Sequence, residues 1–240
     1  MTISNVLKIR YQSWNELEKQ IESLSTTTER GEVFEQFVFA FLKIKSDLYQ
    51  IKEVYRSKEI PIEIREKYSI EAKDSGIDGI FILSDGKCCA YQVKFRTGRS
   101  IPSYAELSKF WVEAKHTDYN YTIANCYYVT KLASKNDKHL SILVEELDKL
   151  DPIFFNNLYE FANNSKVKKI LAKPERFQEK MVSDCVTGLK KADRGKLLAA
   201  CGTGKTLTSL WISQGIDAKS VLFLAPSLAL IKQTLESWAN

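Results

Sequence analysis

Asp78, Gln92 and Lys94 put two oxygen ligands and an ammonium into one short stretch, Gly76 to Phe95, GIDGIFILSDGKCCAYQVKF. A carboxylate and an amide oxygen at adjoining strand ends can hold a divalent metal. An ammonium beside them can polarise a water and stabilise charge on a phosphate. Gln92 and Lys94 are two residues apart, so they share one strand face. Glu35, upstream on a helical pattern, is the fourth candidate. The neutral Gln92 leaves this set one negative charge short of a pair of acids, so its metal binding should be weak.

A second set lies near the C-terminal end. Cys201-Gly202-Thr203-Gly204-Lys205-Thr206 follows a short apolar run and opens a helical pattern. Small residues there let backbone N–H groups close around phosphate. Lys205 would reach the β- and γ-phosphates, and Thr206 would hold magnesium. The first position of this phosphate loop is Ala199 rather than glycine.

The elements that must position these residues can be read in order. Ser13-Trp14-Asn15-Glu16 fits a capping box and starts a helix over 14–23. A second helix is expected over 29–44, its apolar face formed by Phe34, Phe37, Val38 and Phe41. Glu35 lies on the flank of that face, where it can point to a sheet edge or stand as an ordinary boundary glutamate. Glu32 lies on the far side, and Phe39 falls off the face, as an interdomain contact would explain. Strands are expected over 49–55, 77–83, 88–95 and 122–130; 60–68 is ambiguous. Asp85-Gly86 marks a hairpin. A two-residue turn there would pair Asp78 with Val93, on the wrong face. Placing Asp78 with Gln92 and Lys94 requires a three-residue turn or a bulge, supplied by Gly79 or Gly86. Helices are expected over 103–115, 139–147 and 152–163. Both hairpin strands are apolar on both faces, which suits a central, doubly covered sheet. Further on, a helix over 175–189 precedes a buried strand over 196–200, and the phosphate loop opens a helix to about 214.

Asp78…Gln92-Val93-Lys94, the entry Gly76-Ile77-Asp78-Gly79 and the helix Gly31-Glu32-Val33-Phe34-Glu35 resemble the Mrr-like branch of the PD-(D/E)xK nucleases, where the pattern reads D…QxK. The resemblance implies an α/β fold, a restriction-endonuclease-like mixed sheet flanked by helices. It implies Mg2+ (or Mn2+) held by Asp78, Gln92 and Glu35, the last through water, with Lys94 acting on the attacking water and double-stranded DNA as partner. The phosphate loop with Ala199 is similar to those of superfamily-two helicases and translocases. Arg176-Phe177-Gln178 resembles their adenine-reading R-x-Q motif, and Val221 to Ser227 their motif Ia. Arg176, Gln178, Gly202, Thr203, Gly204, Lys205 and Thr206 are then the expected ATP-binding residues, in an incomplete RecA-like P-loop lobe. Arg96, Arg99 and Ser227 are candidate DNA contacts. The expected organisation is a helical extension over 1–27, a nuclease domain over 28–163, a linker over 164–174 and a partial lobe over 175–240. No Asp-Glu pair follows the phosphate loop. An N-terminal fragment of a larger nuclease–translocase is expected, of the type ISP restriction enzymes or related defence helicases.

Composition agrees with a folded, cytoplasmic protein. The chain has 240 residues, 44% hydrophobic and 27% charged, with a net charge of +5. No apolar run reaches the roughly 20 residues of a membrane span, and no signal peptide opens the chain. Five cysteines without C-x-x-C and two histidines, read as surface residues, argue against a zinc site and for reduced thiols. Tyr119, Tyr121, Tyr127 and Tyr128 fit strand packing better than base stacking. The expectation is thus a DNA endonuclease beside an ATP-dependent motor; its rival is an inactive nuclease fold that clamps DNA. A nucleotide-binding protein unrelated to DNA fits the adjoining motifs less well.

Overall fold

Thr26 starts the helix that carries Glu35. Its hydroxyl accepts from Glu29 N–H at 3.1 Å, and the Glu29 carboxylate accepts from Thr26 N–H at 3.0 Å, a capping box that fixes the first turn of α2 (Thr27–Ile44). Ser13 caps α1 (Trp14–Glu22): its hydroxyl accepts from Glu16 N–H at 3.4 Å, while the Glu16 carboxylate accepts from Gln12 N–H at 2.8 Å. The computed structural model describes residues 3–71, 76–165, 173–200 and 202–239. It comprises two compact units, Met1–Lys168 and Lys169–Asn240.

The first unit is a mixed α/β sheet flanked by helices. Its strands are β1 (Ile51–Arg56), β2 (Gly79–Leu83), β3 (Cys88–Lys94), β4 (Tyr119–Ala124) and β5 (His139–Ile142), lying side by side in chain order. The first three are antiparallel, and β3, β4 and β5 are parallel. The 60–68 stretch resolves into α3 (Ile62–Tyr68), which Ser69 ends in the left-handed conformation. The crossover from β3 to β4 runs through α4 (Tyr104–Glu113). After β5 come α5 (Val144–Leu147) and α6 (Pro152–Ala162).

The β2–β3 turn has three residues, Ser84-Asp85-Gly86. Leu83 N–H donates to Lys87 O and Gly86 N–H to Leu83 O, both at 2.9 Å. Gly86 has φ +87°, the left-handed backbone that closes such a loop. The register Ile82↔Cys88, Ile80↔Ala90 then carries Asp78 to the face of Gln92. The irregularity that the parity of the sequence demands is therefore present, at Gly86.

Alternation along β2 and β3 fills two cores. Phe81, Cys89, Tyr91 and Val93 join α1, α2 and α6 through Trp14, Phe34, Phe37, Phe41 and Phe154. Ile80, Cys88 and Ala90 pack on Phe110 and Ala114 at the α4 side. Residues expected to form a helical extension belong to the first of these cores: Val6, Leu7, Trp14, Leu17 and Ile21 are all buried. Gly79 sits where an added Cβ would run into Tyr55 O and the Tyr91 hydroxyl.

Several expectations change. Residues 139–147 are not one helix, because His139–Ile142 pairs with β4 as a fifth strand before the short α5. The β4 strand ends at Ala124, and Tyr127 and Tyr128 are exposed rather than packed. Tyr119 and Tyr121 do pack against the core. Phe39 needs no interdomain partner: it meets Phe161 at 6.3 Å and lies under Arg56. His139 is half-buried rather than a surface residue; its Nδ1 accepts from Trp111 Nε1 at 3.2 Å, and burial pushes its pKa down.

The second unit holds α7 (Arg176–Leu189), α8 (Lys205–Gly215) and α9 (Leu228–Ala239). The buried strand expected over 196–200 is not formed, and Val221 to Ser227, read as motif Ia, holds no strand. Leu198 is 90% and Leu222 83% exposed, and neither run enters a ladder among the described residues. A parallel strand needs neighbours on its edges, and these runs have none in this unit. Cys201, residues 72–75 and most of the expected linker lie outside the described residues. No helix among the described residues is long and apolar enough to cross a membrane.

Candidate functional site

Asp78 is fixed by the strand opposite it. Its Oδ2 accepts from Val93 N–H at 2.6 Å, and its own N–H donates to Tyr91 O at 3.0 Å. The carboxylate therefore stands between the two residues that flank Val93, Gln92 and Lys94. Burial pushes the Asp78 carboxyl up to about 7; Glu35 adds to the rise, while the Val93 N–H and Lys94 oppose it.

Gln92 is 4% exposed, and its amide is oriented by one bond, Nε2 to Gly76 O at 2.9 Å. That bond turns Oε1 the other way, where it is buried with no hydrogen-bond partner among the described residues. A buried, unpartnered carbonyl oxygen beside a carboxylate is costly unless something completes it. A hard divalent cation is a ligand of the right kind.

Lys94 is half-buried, and among the described residues its ammonium makes no hydrogen bond or ion pair. Burial lowers its pKa, Arg96 lowers it further, and Asp78 and Glu35 act in the other direction. Glu35 comes from the other layer of the fold, on α2, and reaches this end of the sheet. The residue is exposed, yet its carboxyl is partly desolvated by its surroundings. Desolvation and then Glu32 push its pKa up, against Lys94, Arg56 and Lys58. The hairpin thus brings Asp78, Gln92 and Lys94 together, and α2 adds Glu35 within their electrostatic reach.

The two arginines that follow are committed elsewhere. Arg99 donates through Nε and Nη2 to the buried Glu18, and through Nη1 to the Tyr127 hydroxyl at 2.8 Å. Asn125 Nδ2 donates to the same Glu18 at 2.9 Å. Arg96 is paired with Glu106. A phosphate would have to displace those carboxylates, so as DNA contacts these arginines are poorly placed. Sequence reasoning missed Glu18 and Asn125, which nothing but folding brings near Arg99. It also missed Arg56, which ends β1 opposite Gly79.

In the second unit the phosphate loop is closed upon itself. Gly202 (φ +80°) and Gly204 (φ +71°) take the left-handed turns that aim the loop into α8. Lys205 Nζ donates to Ala200 O at 2.8 Å, and Thr203 Oγ1 donates to the same carbonyl at 2.8 Å. Gln178 is buried, accepts from Glu175 N–H at 2.8 Å and donates to Thr203 O at 3.0 Å. The glutamine of the expected adenine motif thus meets the loop it should serve. Arg176 is exposed at the start of α7. Thr206 accepts from Trp238 Nε1 through its carbonyl at 2.8 Å. Ser227 accepts from Leu230 N–H at 3.3 Å, in the first turn of α9, a helix the sequence reading did not foresee.

A family model, the type III restriction enzyme res subunit, matches residues 171–240. No curated protein matches the chain. Among solved structures, one described as the ATP-dependent Type ISP restriction-modification enzyme LlaBIII bound to DNA is similar. It shares 25% identity at a TM-score of 0.71, over 96% of this chain and 15% of that one. The chain resembles a restriction enzyme of the helicase-bearing kind. It spans about 15% of the length of that relative, and both matches support a helicase-type part of a restriction or defence protein.

Proposed function

We propose that the first unit is a Mg2+-dependent DNA endonuclease domain of the Mrr-like PD-(D/E)xK type, hydrolysing phosphodiester bonds. We further propose that the second unit is the start of the RecA-like, ATP-binding motor of a restriction or defence enzyme. The observation that carries the nuclease reading is the orphaned Gln92 Oε1 beside Asp78 and Lys94.

Asp78 and Gln92, with Glu35 through water, are the oxygen donors for Mg2+ or Mn2+. When bound, the metal would supply Lewis-acid stabilisation of phosphate charge. The residues of the chain do the rest. Gly76 O holds the Gln92 amide in one orientation, and Val93 N–H holds Asp78. The desolvated Lys94, with a lowered pKa and no side-chain hydrogen bond or ion pair among the described residues, can accept a proton from water or donate to a phosphate oxygen. The five-stranded mixed sheet with helices on both faces supports a restriction-endonuclease-like core. The similar structure described as bound to DNA supports DNA as the partner, and double-stranded DNA is the substrate proposed. In the second unit, the self-capped loop offers Lys205, Thr206 and the Gly202–Gly204 backbone to ATP, with Gln178 and Arg176 on the adenine side.

One observation favours a second reading, a DNA clamp without cleavage. Gln92 is a neutral amide where a pair of acids would carry a second charge, so the charge that would draw a cation to Asp78 is small. Plasmid DNA with Mg2+ or Mn2+, beside Asp78→Ala and Lys94→Ala, separates the two. Nicking or cutting that both substitutions abolish supports the nuclease. DNA binding retained in all three proteins with no cleavage supports the clamp.

A further inference from the structure

Arg56 is the last residue of β1 and lies opposite Gly79, the residue after Asp78. Its neighbour Ser57 donates N–H to the Asp78 carbonyl at 2.9 Å. The end of β1 is therefore tied to the backbone of Asp78 from the side away from β3. The Arg56 guanidinium lies over the Phe39 ring, 4.2 Å from its centroid. Phe39 follows Glu35 by four residues in α2, one turn along on the same face. The sheet side of the site and its helix side thus both lead to Arg56.

The charge of this residue is not spent inside the protein. Arg56 is exposed and, among the described residues, its guanidinium forms no ion pair. Glu59 accepts from its backbone N–H, not from its side chain. Arg96 and Arg99, by contrast, are both held by carboxylates. A guanidinium stacked through its face on an aromatic ring keeps its in-plane N–H donors free, and their fork fits two oxygens of a phosphate. The field of Arg56 and Lys58 also reaches Glu35.

Resting on the nuclease reading above, we infer that Arg56 binds a backbone phosphate of the DNA at the edge of the Asp78–Gln92–Lys94 site, with Phe39 as the platform that fixes its guanidinium. Phe39 packs against the first core and Phe161, and Arg56 lies over its ring.

The test measures binding of a fluorescently labelled DNA duplex to the 240-residue chain by anisotropy, without divalent metal, across a salt series. Arg56→Ala and Arg56→Gln should each weaken binding several-fold and reduce the slope of log affinity against log salt by about one phosphate contact. Lys87→Ala, at the hairpin end of the same sheet, should leave both unchanged. The glutamine variant keeps an aliphatic stem over Phe39 and carries the test should the alanine variant unfold. Wild-type affinity and slope in a folded Arg56 variant overturn the inference, whether or not the protein cleaves plasmid. Binding that depends on Arg56 without any cleavage keeps the inference and removes the nuclease reading. A wild-type chain that binds no duplex removes both.

Discussion

The backbone N–H of Val93 donates to the carboxylate of Asp78 at 2.6 Å. Val93 itself faces the opposite core, so one residue separates the layers while its amide steers the acid between Gln92 and Lys94. That bond sets the position of Asp78, and burial sets its charge. The two effects pull its pKa in opposite directions, and burial wins.

Asp78 is therefore expected to trade stability for function. Its folded pKa, about 7, is above the ordinary value of 3.8, so the folded state favours the protonated form. The resulting stabilisation is complete below about pH 4 and is lost as pH rises through about 7. Asp78→Asn keeps an acceptor for Val93 N–H and removes the charge. Its melting temperature should exceed that of the wild type at pH 8 and match it near pH 4. Metal binding by the wild type should rise through the same window, as calorimetric Mn2+ titrations at pH 6 and pH 8 can show.

Restoring a second acid at position 92 should not improve the fold. Gln92→Glu would set a buried carboxylate against Gly76 O, where the amide now donates. The loss should be on the order of 1–3 kcal/mol in metal-free urea unfolding, the cost of an unpaired buried polar group. Mn2+ should recover part of it, because the cation offsets the added charge.

Arg99 is expected to act on stability rather than on DNA. Arg99→Ala would strand the buried Glu18, with a loss of about 3 kcal/mol. Adding Glu18→Gln should return a good part of that loss, a coupling that a double-mutant cycle measures. Arg96→Ala, whose Glu106 partner is exposed, should cost about 1 kcal/mol or less.

Gly79→Ala should be among the most damaging small substitutions in the sheet. The new methyl meets Tyr55 O and the Tyr91 hydroxyl, one a backbone atom and the other on a buried ring. Overpacking of this kind costs about 1–3 kcal/mol or more, readable in thermal unfolding and in loss of the Asp78 site.

Trp238 should report on nucleotide. Its indole N–H donates to Thr206 O, one residue beyond the phosphate-loop lysine. ATP with Mg2+ should change Trp238 emission as Lys205 leaves the Ala200 carbonyl. Lys205→Ala should abolish the response, and Trp238→Phe should remove it without removing ATP binding.

The sequence carried the parts of this protein that depend on near neighbours. Capping residues at Ser13 and Ser103 mark where two helices begin, although α2 starts at Thr27 behind Thr26, two residues before the expected start at 29; the parity of 78 against 92 demanded an odd turn that Gly86 provides. What it did not carry depends on partners far along the chain. His139 to Ile142 has the composition of a helix start and becomes a strand because β4 offers an open parallel edge. The pairing of Glu18 with Arg99 joins residues 81 apart in the chain, and no spacing rule points to it. Around phosphate the balance differs again: the motif gives Lys205 its identity, but the carbonyls that now hold it, Ala199 and Ala200, show only in three dimensions.

The Ser84–Gly86 loop is at the far end of the hairpin from Asp78, roughly 20 Å away at about 3.4 Å per strand residue. Surface loops commonly absorb a gained or lost residue without consequence. Here chain length is information: deleting Gly86 would shift one strand against the other by a single step, and with β3 held in place it would exchange inside for outside along β2. Asp78 would turn toward the aromatic core, and Phe81 toward the layer under α4. The chemistry of one end of the sheet is thus written in the odd number of residues at the other.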